Sequence, residues 1–165
     1  MEELKKCSIE TPFFSLKGIN THAKVVNVID GDTIVLVIPI IKNVYFKFNC
    51  RLNNIDTCET RSSNEKLKDF GIKAKYRLIE LISKKKLNFD DEISKKDIQS
   101  IFNDDCFLVY VKCYNFDKYG RLIVDILLNN TDKKSLSDIL LEENLAYAYN
   151  GQTKLTDEEQ LNLFK

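Results

Sequence analysis

Two β-branched runs, Ala23 to Ile29 and Thr33 to Ile38, meet at Asp30-Gly31, and this pair constrains the fold more than any other feature of the chain. Val, Ile and Thr suit a pleated, half-buried surface. An Asp-Gly step between two such runs reads as a tight hairpin, with Gly accepting a positive φ. A third run, Val44 to Leu52, follows a break at Pro39 to Asn43, so three strands meander consecutively. Phe107 to Tyr114 and Leu122 to Leu128 supply two more.

Between the third and fourth strands, Ser62-x-x-Glu65 has the form of a capping box, and Asp69 is a second possible N-cap. Phe70, Ala74, Leu78, Leu81 and Ile82 recur at helical spacing, predicting an amphipathic helix that ends near Lys84 to Lys86. Ser135-x-x-Asp138 opens a short helix with Leu136, Ile139 and Leu140 inward. Leu145 to Tyr149 is extended, and Thr156-x-x-Glu159 caps a final helix that packs Leu161 and Phe164. Five short strands with an interrupting helix point to an α+β, mainly β architecture: an OB-type five-stranded Greek-key barrel with three flanking helices, a fold that often binds oligonucleotides on one face. Residues 1–22 read as an irregular arm and 23–165 as one domain. Leu87 to Asp105, charged and weakly patterned, reads as an insertion in which Ile98, Ile101 and Phe102 suggest a short helical turn.

Across 165 residues, 25 Lys and Arg balance 25 Asp and Glu, so the chain lacks the basic excess of a nonspecific nucleic-acid coater and any attraction to phosphate must be local. Five cysteines without C-x-x-C spacing argue against a disulfide framework and a zinc knuckle. One histidine excludes sites built on several. Residues 1–20 carry charges and no sustained apolar run, so they form neither a signal peptide nor a membrane span. Residence inside the cell, without membrane association and as a monomer, is the expectation.

The densest chemistry lies in Arg51-Leu-Asn-Asn-Ile-Asp56-Thr57-Cys58-Glu59. Continuous extension would separate Arg51 from Glu59 by roughly 26 Å at about 3.3 Å per residue, too far to serve one small ligand. A shared site therefore needs a bend, for which Asp56-Thr57 is the natural place. Asp32, a second carboxylate beside the Asp30-Gly31 turn, gains nothing from hairpin chemistry and calls for a nearby cation.

Together, Val28-Ile-Asp30-Gly-Asp32-Thr33, then Arg51 followed by Asp56-Thr57-x-Glu59, then Asp117-Lys118-Tyr119-Gly120-Arg121, resemble the staphylococcal nuclease (thermonuclease) family over about Ala23 to Phe164. The resemblance implies an OB-fold, calcium-dependent phosphodiesterase acting on DNA and RNA. By position it makes Asp32 and Asp56 carboxylate ligands of Ca²⁺, with the Thr57 carbonyl a third. Arg51 and Arg121 would clamp the scissile phosphate and Glu59 would act on the attacking water. Lys118 and Tyr119 would reach a terminal phosphate, and Tyr147 or Tyr149 would pack against a nucleoside. Cys58 stands where the family usually has proline, and the chain near Asn144 to Tyr149 is about three residues shorter than the family pattern.

These residue types suit the chemistry. Ca²⁺ takes six to eight oxygens in loose geometry, and arginine presents a planar, permanently charged fork to phosphate. Glu59 is the carboxylate left for general-base work. A catalytically inactive module of the same fold, binding nucleic acid or a protein partner, would show eroded acidic and arginine positions. A plain single-strand binder would stack bases without clustered carboxylates. Single-stranded DNA or RNA is the expected substrate.

Overall fold

The computed structural model describes residues 1–88 and 93–164. Its centre is a closed barrel of five strands: β1 (Asn20–Asp30), β2 (Thr33–Ile41), β3 (Val44–Leu52), β5 (Phe107–Phe116) and β6 (Leu122–Leu127), in the spatial order β1-β2-β3-β6-β5. A two-stranded ribbon joins β4 (Ile55–Asp56) to β7 (Tyr147–Ala148). The helices are α1 (Glu65–Ser83), α2 (Lys95–Asp104), α3 (Leu136–Glu142) and α4 (Asp157–Leu163), with a short 3-10 turn at Glu3–Lys6. The five-stranded α+β barrel agrees with expectation, but four α-helices surround it rather than three. The additional one is α2, where the expected turn in the insertion is a ten-residue helix with a Ser94–Asp97 capping box and Ile98 and Phe102 buried. A capping box satisfies two otherwise unpaired N–H groups, so it outweighs the weak apolar pattern.

Alternation accounts for the core. Ala23, Val25 and Val28 of β1, Ile34, Leu36 and Ile38 of β2, and Val109, Val111 and Cys113 of β5 all point inward. Leu78, Ile79 and Ile82 of α1 and Leu136 and Leu140 of α3 join the same core. Leu16 is also in it, only 1% exposed, so the N-terminal arm contributes to the barrel before β1 begins at Asn20. Ile19 is partly buried against the same core, and the remaining residues before Asn20 are exposed. No helix among the described residues is long and apolar enough to cross a membrane.

Three local devices differ from expectation, and each bears on the site. Gly31 does not have a positive φ; the residue is required because a Cβ there would lie 2.7 Å from Ala74 Cβ and 3.0 Å from Thr57 Oγ1. The bend after β3 falls at Asn53-Asn54, with Asn54 left-handed at φ 63°, three residues before the expected Asp56-Thr57. Helix α1 is capped by Asn64, whose side chain accepts from the N–H groups of Lys66 and Leu67, while Ser62 Oγ accepts from Asn64 N. Gly71 of α1 lets the helix press on the Cys58–Thr60 backbone, since a Cβ there would come within 2.6 Å of the Cys58 carbonyl.

Candidate active site

The parallel pairing of β3 with β6 sets Arg51 beside Ile123 and Cys50 beside Leu122, which brings Arg121, 70 residues downstream, to the same end of the barrel. The antiparallel register of β2 and β3 puts Thr33 opposite Arg51, so Asp32 emerges from its turn alongside the guanidinium. Arg51 Nη1 donates to Asp32 Oδ2 at 2.5 Å, and Nη2 donates to Asp56 Oδ1 at 2.6 Å and to the Ile55 carbonyl at 3.0 Å. One buried arginine thus closes the bend and supplies the cation that Asp32 required. Thr33 Oγ1 donates to Asp32 Oδ1 at 2.7 Å and accepts from Arg121 Nη1 at 3.4 Å.

The two carboxylates differ in acidity. Burial pushes the Asp32 carboxyl up and outweighs the attraction of Arg51. Burial also acts upward on Asp56, but the Tyr147 hydroxyl, Arg51 and Lys154 together bring it below the ordinary range. Asp56 therefore holds its charge more firmly than Asp32. Thr57 is buried against Gly31, and Glu59 projects outward, its side chain 68% exposed.

On the opposite wall, the loop between β5 and β6 is built around Asp117. Its Oδ1 accepts from the N–H groups of Tyr119 and Arg121 at 2.8 and 2.9 Å, and its Oδ2 accepts from Arg121 Nε at 2.8 Å. Gly120 takes φ +79° to close the turn. Burial works against the Asp117 charge, but these donors hold its carboxyl below the usual value. Lys118 and Tyr119 are exposed on this loop, with Lys118 Nζ 5.1 Å from the Tyr119 ring centroid.

Arg51, Lys118, Tyr119, Arg121, Tyr149 and Lys154 line one cleft of about 690 Å³. Asp32 and Asp56 lie behind Arg51. Tyr149 faces this cleft with its ring 5.3 Å from Arg51 Cζ. Tyr147 points elsewhere: it is 5% exposed, in a small apolar cluster with Cys58, Leu67 and Phe164, and its hydroxyl donates to Asp56 Oδ2 at 2.5 Å. The Cys58 side chain fills this cluster at the position of the expected proline.

Lys154 was not foreseen from the sequence. Its Nζ lies 3.1 Å from Asp56 Oδ1 and 3.2 Å from Glu59 Oε1. The Asp56–Tyr147 pairing of β4 with β7 and the bond from Tyr149 N to the Asn54 carbonyl at 2.9 Å bring the following loop over the site. No local pattern around Asn150-Gly151 announces that contact.

An arrangement of two buried carboxylates on one arginine, a second arginine beside them and an exposed glutamate at the rim suits binding and attack at a phosphodiester. The family model described as staphylococcal nuclease homologue matches residues 49–165, and the chain belongs to that family. Endonuclease YncB of Bacillus subtilis (strain 168) is 33% identical over 149 residues, which cover 84% of this chain and 57% of that protein. The chain thus spans little more than half the length of this relative.

Proposed function

We propose that this chain is a calcium-dependent endonuclease that hydrolyses phosphodiester bonds of single-stranded DNA and RNA, leaving 3′-phosphate and 5′-hydroxyl ends. The observation that carries the reading is Arg51 bonded at once to Asp32 and Asp56, with Arg121 linked to them through Thr33 at the edge of a cleft lined by Lys118 and Tyr119. Family membership and the endonuclease relative support it.

The donor set fits a hard divalent cation, since Asp32, Asp56 and the Thr57 carbonyl offer only oxygen. Among the described residues no three His, Cys, Asp or Glu side chains gather to enclose an ion. Three protein oxygens are fewer than the six to eight that Ca²⁺ takes, so the remaining positions would go to water and a phosphate oxygen. When bound, the ion would neutralise charge on the phosphate as a Lewis acid.

The protein's own groups supply the rest. An arginine carries five N–H donors; Arg51 uses three on Asp32, Asp56 and Ile55, leaving two, and Arg121 uses two on Asp117 and Thr33, leaving three. Donors left free on the two arginines would meet the phosphate oxygens and gain strength as negative charge builds up there. Glu59, exposed at the rim, takes the proton of the attacking water. Lys118 and Tyr119 bind a neighbouring phosphate and Tyr149 packs against a nucleoside.

Incubation with single-stranded DNA, RNA and duplex DNA, with Ca²⁺ or with excess chelator, tests this. Rapid cleavage of the single strands with calcium, slower cutting of duplex and none with chelator is expected. Full activity in chelator would overturn the metal assignment, and 5′-phosphate ends would contradict the proposed chemistry.

A further inference from the structure

A second groove, of about 610 Å³, opens on the other side of Glu59. Four cations line it: Arg61 from the loop before α1, Lys68 and Lys75 from α1, and Lys95 from α2. Two carboxylates share its walls, and each is engaged. Asp30 Oδ1 accepts from Thr60 Oγ1 at 2.6 Å, and Glu59 is met by Lys154. Lys68 has a long contact, 3.5 Å, with Glu65. Arg61, Lys75 and Lys95 form no ion pair with a described carboxylate. Burial makes the half-buried Lys75 ammonium more acidic than an ordinary lysine; Asp30 opposes this, and Lys95 and Arg61 add to it. Among the described residues lining the groove, four cations from three separate chain segments outnumber the two carboxylates, and an anionic ligand would relieve that excess of like charge.

The groove and the active-site cleft meet at one ridge. Glu59 lines the groove, and its partner Lys154 lines the cleft. A strand whose scissile phosphate sat between Arg51 and Arg121, and whose far phosphate reached Lys118, would cross this ridge into the groove. We propose that the groove between α1 and α2 binds the phosphodiester backbone of a nucleic-acid strand on the side of the scissile bond away from Lys118 and Tyr119. Helix α2, the inserted element, then serves as the outer wall of an extended substrate track. The inference rests on the nucleic-acid reading above.

Fluorescence anisotropy of 5′-labelled oligothymidylates of three and twelve nucleotides, with the whole chain in chelator over a range of salt, tests it. The Lys75→Gln/Lys95→Gln double variant should bind the twelve-mer about tenfold more weakly, with a log K against log salt slope smaller by about 1.4, or roughly 0.7 for each lost phosphate contact. Binding of the three-mer should be unchanged, and Lys75→Arg/Lys95→Arg should restore the twelve-mer. If the double Gln variant has a lowered melting temperature, Lys95→Gln alone, at an exposed position, carries the test with about half the slope change. Equal binding of the twelve-mer by wild type and variant, or equal losses for both lengths, would overturn the groove. Absence of cleavage by wild type with calcium would instead overturn the nuclease reading, leaving the binding measurement intact.

Discussion

The Tyr147 hydroxyl donates to Asp56 Oδ2 at 2.5 Å from 91 residues away in sequence, so this tyrosine supports the acidic centre from behind while Tyr149 faces the cleft. The two should separate on mutation. Tyr147→Phe keeps the ring against Phe164 and removes one bond to a charged group, costing about 1.5 to 3 kcal/mol of stability in urea denaturation. Tyr149→Ala should leave the fold intact and weaken oligonucleotide binding by roughly 1 to 3 kcal/mol, the usual value of a base-stacking ring. Equal stability losses in both variants would show that the division of labour is wrong.

Glu59 has one side-chain partner and an exposed carboxylate. Glu59→Gln should therefore melt like wild type yet turn over about 10² to 10⁴ times more slowly, the range of a lost general base. Single-turnover kinetics at saturating calcium give the comparison, and a rate within threefold of wild type would remove Glu59 from the chemistry.

The two arginines call for different outcomes from the same conservative change. Arg51 is buried and binds two carboxylates, so Arg51→Lys loses a bridging fork in the interior and should cost stability as well as rate, up to about 3 to 5 kcal/mol if a carboxylate is left unpaired. Arg121 is partly exposed, with 26% of its side chain accessible. Arg121→Lys should fold normally and lose at least about 10² in kcat, since one missing donor to a developing oxyanion costs about 2.7 to 4 kcal/mol. Thermal melts beside steady-state kinetics read both, and a near-normal kcat in Arg121→Lys would refute its role at the phosphate.

Lys154 would compete with a divalent cation for Asp56, because its ammonium lies 3.1 Å from Asp56 Oδ1. Lys154→Met removes that competitor while keeping an apolar stem. Titration calorimetry should find tighter calcium binding in the variant; unchanged or weaker affinity would mean that the lysine moves aside without cost or assists the ion.

Thiol reactivity should split two against three. Cys7 and Cys106 are exposed, whereas Cys50, Cys58 and Cys113 are buried, and burial pushes their thiols up to about 12, 11 and 11 respectively. The thiolate is the reactive form, so a disulfide reagent at pH 8 should titrate two groups quickly and the remaining three only on unfolding. Raised folded-state values also mean that the unfolded chain loses these protons first. Their contribution to stability is complete below about pH 8.5 and declines as pH rises toward 11. Five fast thiols would show that the barrel does not shield Cys50 and Cys113.

Much of this molecule is legible in its sequence, because strands and caps are local. The alternation around Val25 and Leu36 and the capping boxes at Ser135 and Thr156 each declare an element within a few residues. The segments carrying Asp32, Arg51, Asp56, Glu59 and Arg121 are legible through their family resemblance. The structure places all five at one end of the barrel. What escapes is set by long-range packing. The bend lies at Asn53-Asn54, and Arg51 spans it by donating to the Ile55 carbonyl four residues on. Gly31 is fixed by the approach of Ala74 and Thr57, and Lys154 by a ribbon between β4 and β7. Helix α2 was understated because only Ile98 and Phe102 of its ten residues are buried.

The parallel alignment of β3 with β6 also governs timing. While the chain is still being synthesised, Asp32, Arg51, Asp56 and Glu59 precede Arg121 by 62 residues or more, and Tyr147 and Lys154 follow later still. Parallel pairing across such a distance forms late, because the loop must close before its contacts stabilise it. A growing chain therefore holds Asp32, Arg51, Asp56 and Glu59 before Arg121, Tyr147 and Lys154 can join them. The full constellation of Asp32, Arg51, Asp56, Glu59 and Arg121 therefore belongs to the closed barrel, and a chain still growing lacks it.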